Sequence, residues 1–319
     1  MIGSVADNKT PITNRILVCD TVDNLLLEGL KKKGHFVEYR PKITREELQN
    51  DLGEFGAVVV RSRTKLDSSI INSAGELKII ARAGIGTDNI DIDAATQRGI
   101  EVITAAGSST QSVVELNVAL AIDMARKISH LDRNIRAGNF KKEEGTELRG
   151  KTAGIIGFGR IGYETAMVLR ALGMNIIAYD VVENMDAINH VQGKYLSLNE
   201  LLGEADFIFI LVTLNRGSKS LIGEKELSLI RKGAFIVNTS RAEAIDGKAL
   251  LKSLEDAKIG GYASDVLWNE PPKEEWEKKL ISMNNVVITP HIGAQTAEAQ
   301  KRVAQMTMEK LLKALDGAA

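Results

Sequence analysis

Ala153-Gly154-Ile155-Ile156-Gly157-Phe158-Gly159-Arg160-Ile161-Gly162 decides how this chain is read. Ala153 to Ile156 is a short apolar run of the kind that forms a buried strand, and the glycine pattern that follows it opens a helix predicted to run to about Leu172. In that context the glycines have separate tasks. Gly157 permits the tight turn, Gly159 lets backbone approach a pyrophosphate, and Gly162 lets the helix pack on the strand, while Arg160 and Ile161 contribute the first N–H groups at its positive end. A second apolar run, Asn175 to Tyr179, ends at Asp180, about twenty residues beyond the glycines, where a carboxylate can accept from ribose hydroxyls. Asp180 would repel a 2′-phosphate, and Val181 and Val182 supply no basic residue to offset it, so the expected dinucleotide is NAD.

Toward the C-terminus the strand–helix rhythm continues through Phe207 to Leu211, Ala234 to Asn238, Gly260 to Ala263 and Val286 to Thr289, making six predicted strands. In open α/β sheets ligands collect at the carboxyl ends of strands. Three such ends carry chemistry here: Arg241, then Asp265 and Glu270, then His291. Removing a hydride beside a carboxylate calls for a cation to hold the acid, an acid–base group, and a carboxylate to orient that group. Arg241, His291 and Glu270 supply these in turn. Glu270 also precedes Pro271-Pro272 in the company of Glu274, Glu275 and Glu277, so a solvated surface charge is the competing reading. The other histidines, His35, His130 and His190, have no evident chemical company and read as structural.

Toward the N-terminus, Ile16 to Cys19, Phe36 to Tyr39, Ala57 to Val60, Leu77 to Ala81 and Glu101 to Ile103 repeat the same alternation. These near-continuous apolar runs predict parallel strands covered on both faces. Between the two series lies a helical stretch, Ser109 to Ala137, with Val113, Leu116, Leu120, Met124 and Ile128 on one stripe. At 319 residues the chain exceeds one core and predicts two α/β domains. With 41 basic and 42 acidic side chains, no long-range field favours nucleic acid or an anionic membrane. The single cysteine, Cys19, sits in an apolar run and excludes an intrachain disulfide. The first fourteen residues lack the apolar core of a signal peptide, and the expectation is a cytoplasmic enzyme with ordered domains and disorder confined to the ends.

The ordered set Gly157 to Gly162 with Asp180, Asn238-Thr239-Ser240-Arg241, Asp265 with Glu270-Pro271, and Pro290-His291-Ile292-Gly293-Ala294 resembles the D-isomer-specific 2-hydroxyacid dehydrogenases over nearly the whole chain. The resemblance implies that Arg241 binds carboxylate and carbonyl, His291 is the acid–base, Glu270 its partner, and Asp265 a contact of the nicotinamide carboxamide. It implies two doubly wound parallel-sheet domains. One is a flavodoxin-like substrate domain of residues 1–105 plus 294–319, the other a Rossmann NAD-binding domain of residues 106–293, with the active site in the cleft. It also implies a homodimer formed through the 109–137 helix. Val60-Arg61-Ser62 and the run Ala81 to Asp91 are similar to those of members that oxidise 3-phosphoglycerate in serine biosynthesis. There Ala83, Gly84 and Ile85 would hold the carboxylate and Arg61 and Arg82 the phosphate. Reduction of glyoxylate or hydroxypyruvate is the alternative, and an NAD-sensing corepressor a remote one.

Some residues depart from the family pattern. Where the family usually shows His-x-Pro-Leu, this chain has Leu211-Val212-Thr213-Leu214, leaving Thr213 as the polar side chain for the cofactor. Ala242 replaces a common glycine, and the chain, ending at Ala319, is expected to lack a regulatory domain.

Overall fold

The computed structural model describes residues 12–318, so most of the N-terminal stretch read above for a signal peptide lies outside the described residues. The chain divides into two compact units, residues 1–109 with 295–319 and residues 110–294.

The first unit holds a five-stranded parallel sheet: β1 Arg15–Val18, β2 Phe36–Tyr39, β3 Ala57–Val60, β4 Ile79–Arg82 and β5 Glu101–Thr104, in the order β2-β1-β3-β4-β5. Successive residues of a strand point to opposite faces. Here one face buries Leu17, Val58, Val60 and Ile80, and the other Ile16, Val18, Val59 and Ile79, which is why these strands read as unbroken apolar runs. The helix Ala297–Ala318 returns to this unit, where Val303, Leu311 and Leu315 close the second face against Leu26 and Leu30. Gly29 permits that approach, since a Cβ there would lie 2.0 Å from the Met308 sulfur.

The second unit is a seven-stranded parallel sheet: β6 Thr152–Ile156, β7 Asn175–Tyr179, β8 Lys194–Tyr195, β9 Phe207–Ile210, β10 Phe235–Asn238, β11 Gly261–Ser264 and β12 Val286–Ile288, ordered β12-β11-β10-β9-β6-β7-β8. The direction of winding reverses between β6 and β9, which places the Gly157 loop at the switch point. Two features differ from the sequence reading. The extra strand, β8, is only two residues long and partly polar, too short to show a period. The helix expected over Ser109 to Ala137 is two helices, Thr110–Arg126 and Ile128–Arg136, because Lys127 adopts a left-handed conformation (φ 56°) at the junction. Among the described residues no helix is long and apolar enough to cross a membrane.

Candidate active site

At the switch point, Gly157 takes φ +93°, and a Cβ on it would press to 2.6 Å on the Leu211 carbonyl oxygen. One on Gly162 would come within 2.2 Å of the Gly157 carbonyl oxygen. These two glycines are therefore demanded by packing. Gly159 is different: a Cβ there meets nothing within 4 Å, and it precedes the helix Arg160–Ala171 without any side-chain cap. No side chain caps the first N–H groups of that helix, and Gly159 leaves room beside them, which suits a phosphate. Asp180, the expected ribose acceptor, also shapes the loop: its Oδ2 accepts from Phe158 N at 2.7 Å and its Oδ1 from Val182 N at 3.2 Å. The side chains present fit a dinucleotide. Thr213 is exposed and its carbonyl accepts from the buried Ser218 hydroxyl at 2.7 Å, which fixes the departing loop after β9.

Because β10, β11 and β12 are neighbours, the loops that follow them come side by side. After β10, the buried Asn238 folds the turn: its Oδ1 accepts from Ser240 N and Oγ, both at 3.0 Å, and its Nδ2 donates to the Arg241 carbonyl at 3.0 Å. Thr239 is tied to Asn117 at 2.8 Å. Arg241, half-buried, donates through Nη1 to the Ser240 carbonyl at 2.7 Å.

After β12, His291 stands in the left-handed region (φ 55°), a strained place for a residue with a Cβ that persists only when its surroundings over-determine it. Asp265 provides that determination. Its carboxylate, 2% exposed, accepts from Thr289 Oγ1 at 2.5 Å, from Ile292 N at 2.7 Å and from Gly293 N at 2.7 Å, so it grips the chain on both sides of the histidine. The resemblance gives Asp265 to the nicotinamide carboxamide; in the structure its oxygens accept from the chain around the histidine, a role that sequence spacing did not signal.

His291 Nδ1 lies 2.9 Å from Glu270 Oε2 and 3.2 Å from Oε1, and Leu267 N donates to the same Oε1 at 3.1 Å. With Nδ1 committed to the carboxylate, Nε2 is the ring atom that can take or give a proton to a substrate. The Glu270 hydrogen bond raises the His291 pKa above the ordinary imidazole value against the cost of burial, with Asp265 adding to the rise and Arg241 opposing it. Burial pushes Glu270 up, but the bonds from His291 and Leu267 N outweigh it, helped by the Arg241 charge, and its pKa falls below the usual carboxylate value. Glu270 is thus an exposed carboxylate engaged by His291 and Leu267 N, not one more unpaired surface charge.

The residues expected at the substrate end sit on the first unit. Arg61 follows β3, its Nη1 donating to the Thr21 carbonyl at 3.0 Å, and its backbone N–H bonds the buried Asp20 carboxylate. Arg63, which the sequence reading passed over, pairs with Asp20 at 2.9 Å. Arg82 bends over its own loop, where a Cβ on Gly84 (φ +152°) would collide with Nη1 at 1.3 Å. Ala83 N and Gly84 N donate to the Val60 and Arg82 carbonyls at 2.9 and 2.8 Å, so two of the three backbone donors expected to cradle the carboxylate are engaged within the loop, and Ile85 is exposed. His130 is not without company: its Nε2 lies 3.0 Å from both Glu143 Oε1 and Asn134 Nδ2.

A switch-point glycine loop and an imidazole–carboxylate pair beside an arginine define a dinucleotide-dependent redox fold. Residues 118–293 match the model for "D-isomer specific 2-hydroxyacid dehydrogenase, NAD binding domain". The chain is 40% identical over 303 residues to a hydroxypyruvate reductase of Thermotoga maritima, covering 94% of this chain and 98% of that one. It is 38% identical to a D-3-phosphoglycerate dehydrogenase of Archaeoglobus fulgidus over 95% of this chain, and spans 58% of that protein's length. A solved glyoxylate reductase from Paecilomyes thermophila superposes with a TM-score of 0.87 at 30% identity, covering 95% of this chain and 96% of that one. The chain belongs to the D-isomer-specific 2-hydroxyacid dehydrogenase family, and its second unit is the NAD-binding domain of that family.

Proposed function

We propose that the protein interconverts a D-2-hydroxy acid and its 2-oxo acid, and the single observation that carries this is the 2.9 Å contact between His291 and Glu270 on a loop pinned by Asp265. Arg241 holds the substrate carboxylate through its planar fork. His291 Nε2 accepts the C2 hydroxyl proton as the C2–H electron pair departs, and Glu270 stabilises the imidazolium that results. Bound NAD supplies the acceptor for that hydride. In reduction the same imidazolium returns its proton to the carbonyl oxygen.

The finer assignment is 3-phosphoglycerate oxidised to 3-phosphohydroxypyruvate, as in serine biosynthesis, with Arg61 and Arg82 holding the phosphate. Two arginines at strand ends of a nearly neutral protein support it, as does the similarity to the Archaeoglobus fulgidus protein. The second reading, reduction of hydroxypyruvate or glyoxylate, is favoured by the relative matched over 98% of its length. Comparing kcat/KM for phosphohydroxypyruvate, hydroxypyruvate and glyoxylate with NADH separates them. A preference of about 10²-fold for the phosphorylated acid, the scale of two charge-assisted contacts, establishes the first; preference for the small acids establishes the second. No turnover with any of the three would overturn the dehydrogenase reading and revive the corepressor.

The same reading includes a homodimer through residues 109–137. Ile128 and Ile135 are 53% and 49% exposed, Phe140 just beyond them is 78% exposed, and the helix Ile128–Arg136 buries no residue, so its apolar side chains are available to a second copy. A cytoplasmic setting is supported by the single buried free thiol, Cys19.

A further inference from the structure

Among the acidic residues that surround Glu270 in sequence, Glu274 and Glu275 are exposed, whereas Glu277 is completely buried. Its Oε1 accepts from Asn269 N at 2.9 Å. Its Oε2 accepts from Asn269 Nδ2 at 3.1 Å, from Lys273 N at 2.9 Å and from Glu274 N at 2.9 Å. A buried carboxylate is tolerated only when its charge is satisfied, and four N–H donors do that here without a cation. Burial alone would push the Glu277 pKa up; the donors of Glu274, Lys273 and Asn269 bring it below the ordinary value, so it is held ionised.

The positions of those donors matter more than their number. They lie on either side of Glu270-Pro271-Pro272, so one carboxylate clasps both ends of the segment that carries Glu270. Neither proline has an N–H, so the backbone there has little means of anchoring itself. The flank toward β11 is held as well: Trp268 donates to the Ile245 carbonyl at 3.1 Å and packs edge-on against Trp276 at 5.0 Å, both over Gly247, where a Cβ would meet Trp276 at 2.4 Å. Trp276 precedes Glu277 in the same helix, Glu275–Ser282.

We propose that Glu277 is a positioning residue for the acid–base pair, fixing the 269–274 loop so that the Glu270 carboxylate stays on His291 Nδ1. The inference rests on His291 being the acid–base group, but its test does not depend on turnover. The His291 ring is titrated by NMR in histidine-labelled protein, its signal among the four histidines assigned by its loss in His291→Gln. The charged groups facing that ring are Glu270, Asp265 and Arg241. Removing the pair directly, in Glu270→Gln, should lower the His291 pKa.

Glu277→Gln keeps the volume but can no longer accept all four donors, and is expected to lower the His291 pKa in the same direction. NADH affinity should be retained while kcat falls about tenfold, since about 1 Å of misplacement at a reacting centre can cost up to about 10²-fold. Glu277→Asp, which keeps the charge but withdraws it by one methylene, should fall between Gln and wild type and serves as the test if Gln does not fold. If both variants melt earlier yet His291 titrates as in wild type, Glu277 is merely structural and the proposal is overturned. If wild type turns over no 2-oxo acid while the Glu277 variants still shift the His291 titration, the proposed activity fails and the positioning role stands.

Discussion

The carboxyl edges of the two parallel sheets are built differently. On the seven-stranded sheet, each candidate catalytic side chain is set by another side chain or by a turn that a side chain folds: Glu270 on His291, Asp265 around His291, Asn238 on the turn of Arg241. On the five-stranded sheet, the arginines lean on backbone carbonyls, Arg61 on Thr21 and Arg82 on Ala83, while Asp20 spends its carboxylate on loop N–H groups, the Thr64 hydroxyl and Arg63. The first edge suits the proposed proton transfer, where small displacements are costly. The second is a loop of fixed backbone carrying long cations, a construction that can accommodate acids of different length. Under the proposed function, chemistry belongs to one unit and discrimination between acids to the other.

The most severe way to break that contrast is His291→Ala, which should cut turnover by about 10²-fold or more while NADH still binds by fluorescence titration; retained turnover would remove the proton-transfer role. Next, Arg241→Lys keeps the charge but loses the fork, and kcat/KM for every 2-oxo acid should fall by about 10²-fold. An equal loss for all substrates is the signature of the prepared edge.

Glu270→Gln should cost about tenfold in kcat and also move the pH profile. Reduction requires protonated His291, so the wild-type rate falls as pH rises through the raised pKa, and the variant should lose activity at lower pH than wild type. Stability follows the same pair. The His291 contribution is complete below the ordinary imidazole pKa and lost as pH rises through the raised value; the Glu270 contribution is present above the ordinary carboxylate pKa and lost as pH falls through the lowered one. Both side chains are about half exposed, 51% and 41%, so the effect on melting temperature should be small beside the effect on rate. An unmoved profile would mean that Glu270 does not govern His291.

The smallest effects belong to the other edge. Arg61→Ala and Arg82→Ala should each lower kcat/KM for phosphohydroxypyruvate by about tenfold, with little change for glyoxylate. A uniform loss across acids would show that these arginines shape the loop instead of choosing the substrate, and would erase the division of labour between the sheets.

Much of the molecule was legible in the chain itself. Apolar runs gave eleven of the twelve described strands, and the glycine pattern gave the helix at Arg160, because period and turn chemistry are properties of neighbouring residues. Arg241, Glu270 and His291 could be chosen because each follows a strand of the same sheet. What the sequence could not decide depends on contacts between distant residues. Lys127 breaks a helix that its own side-chain pattern would continue, and Asp265 grips a loop more than twenty residues away. Glu277 looks the same as Glu274 and Glu275 until the fold converges four N–H donors on it and removes its water. A carboxylate's identity is written in the sequence, but whether it is a solvated charge or a buried anchor is set by the donors that tertiary structure brings to it.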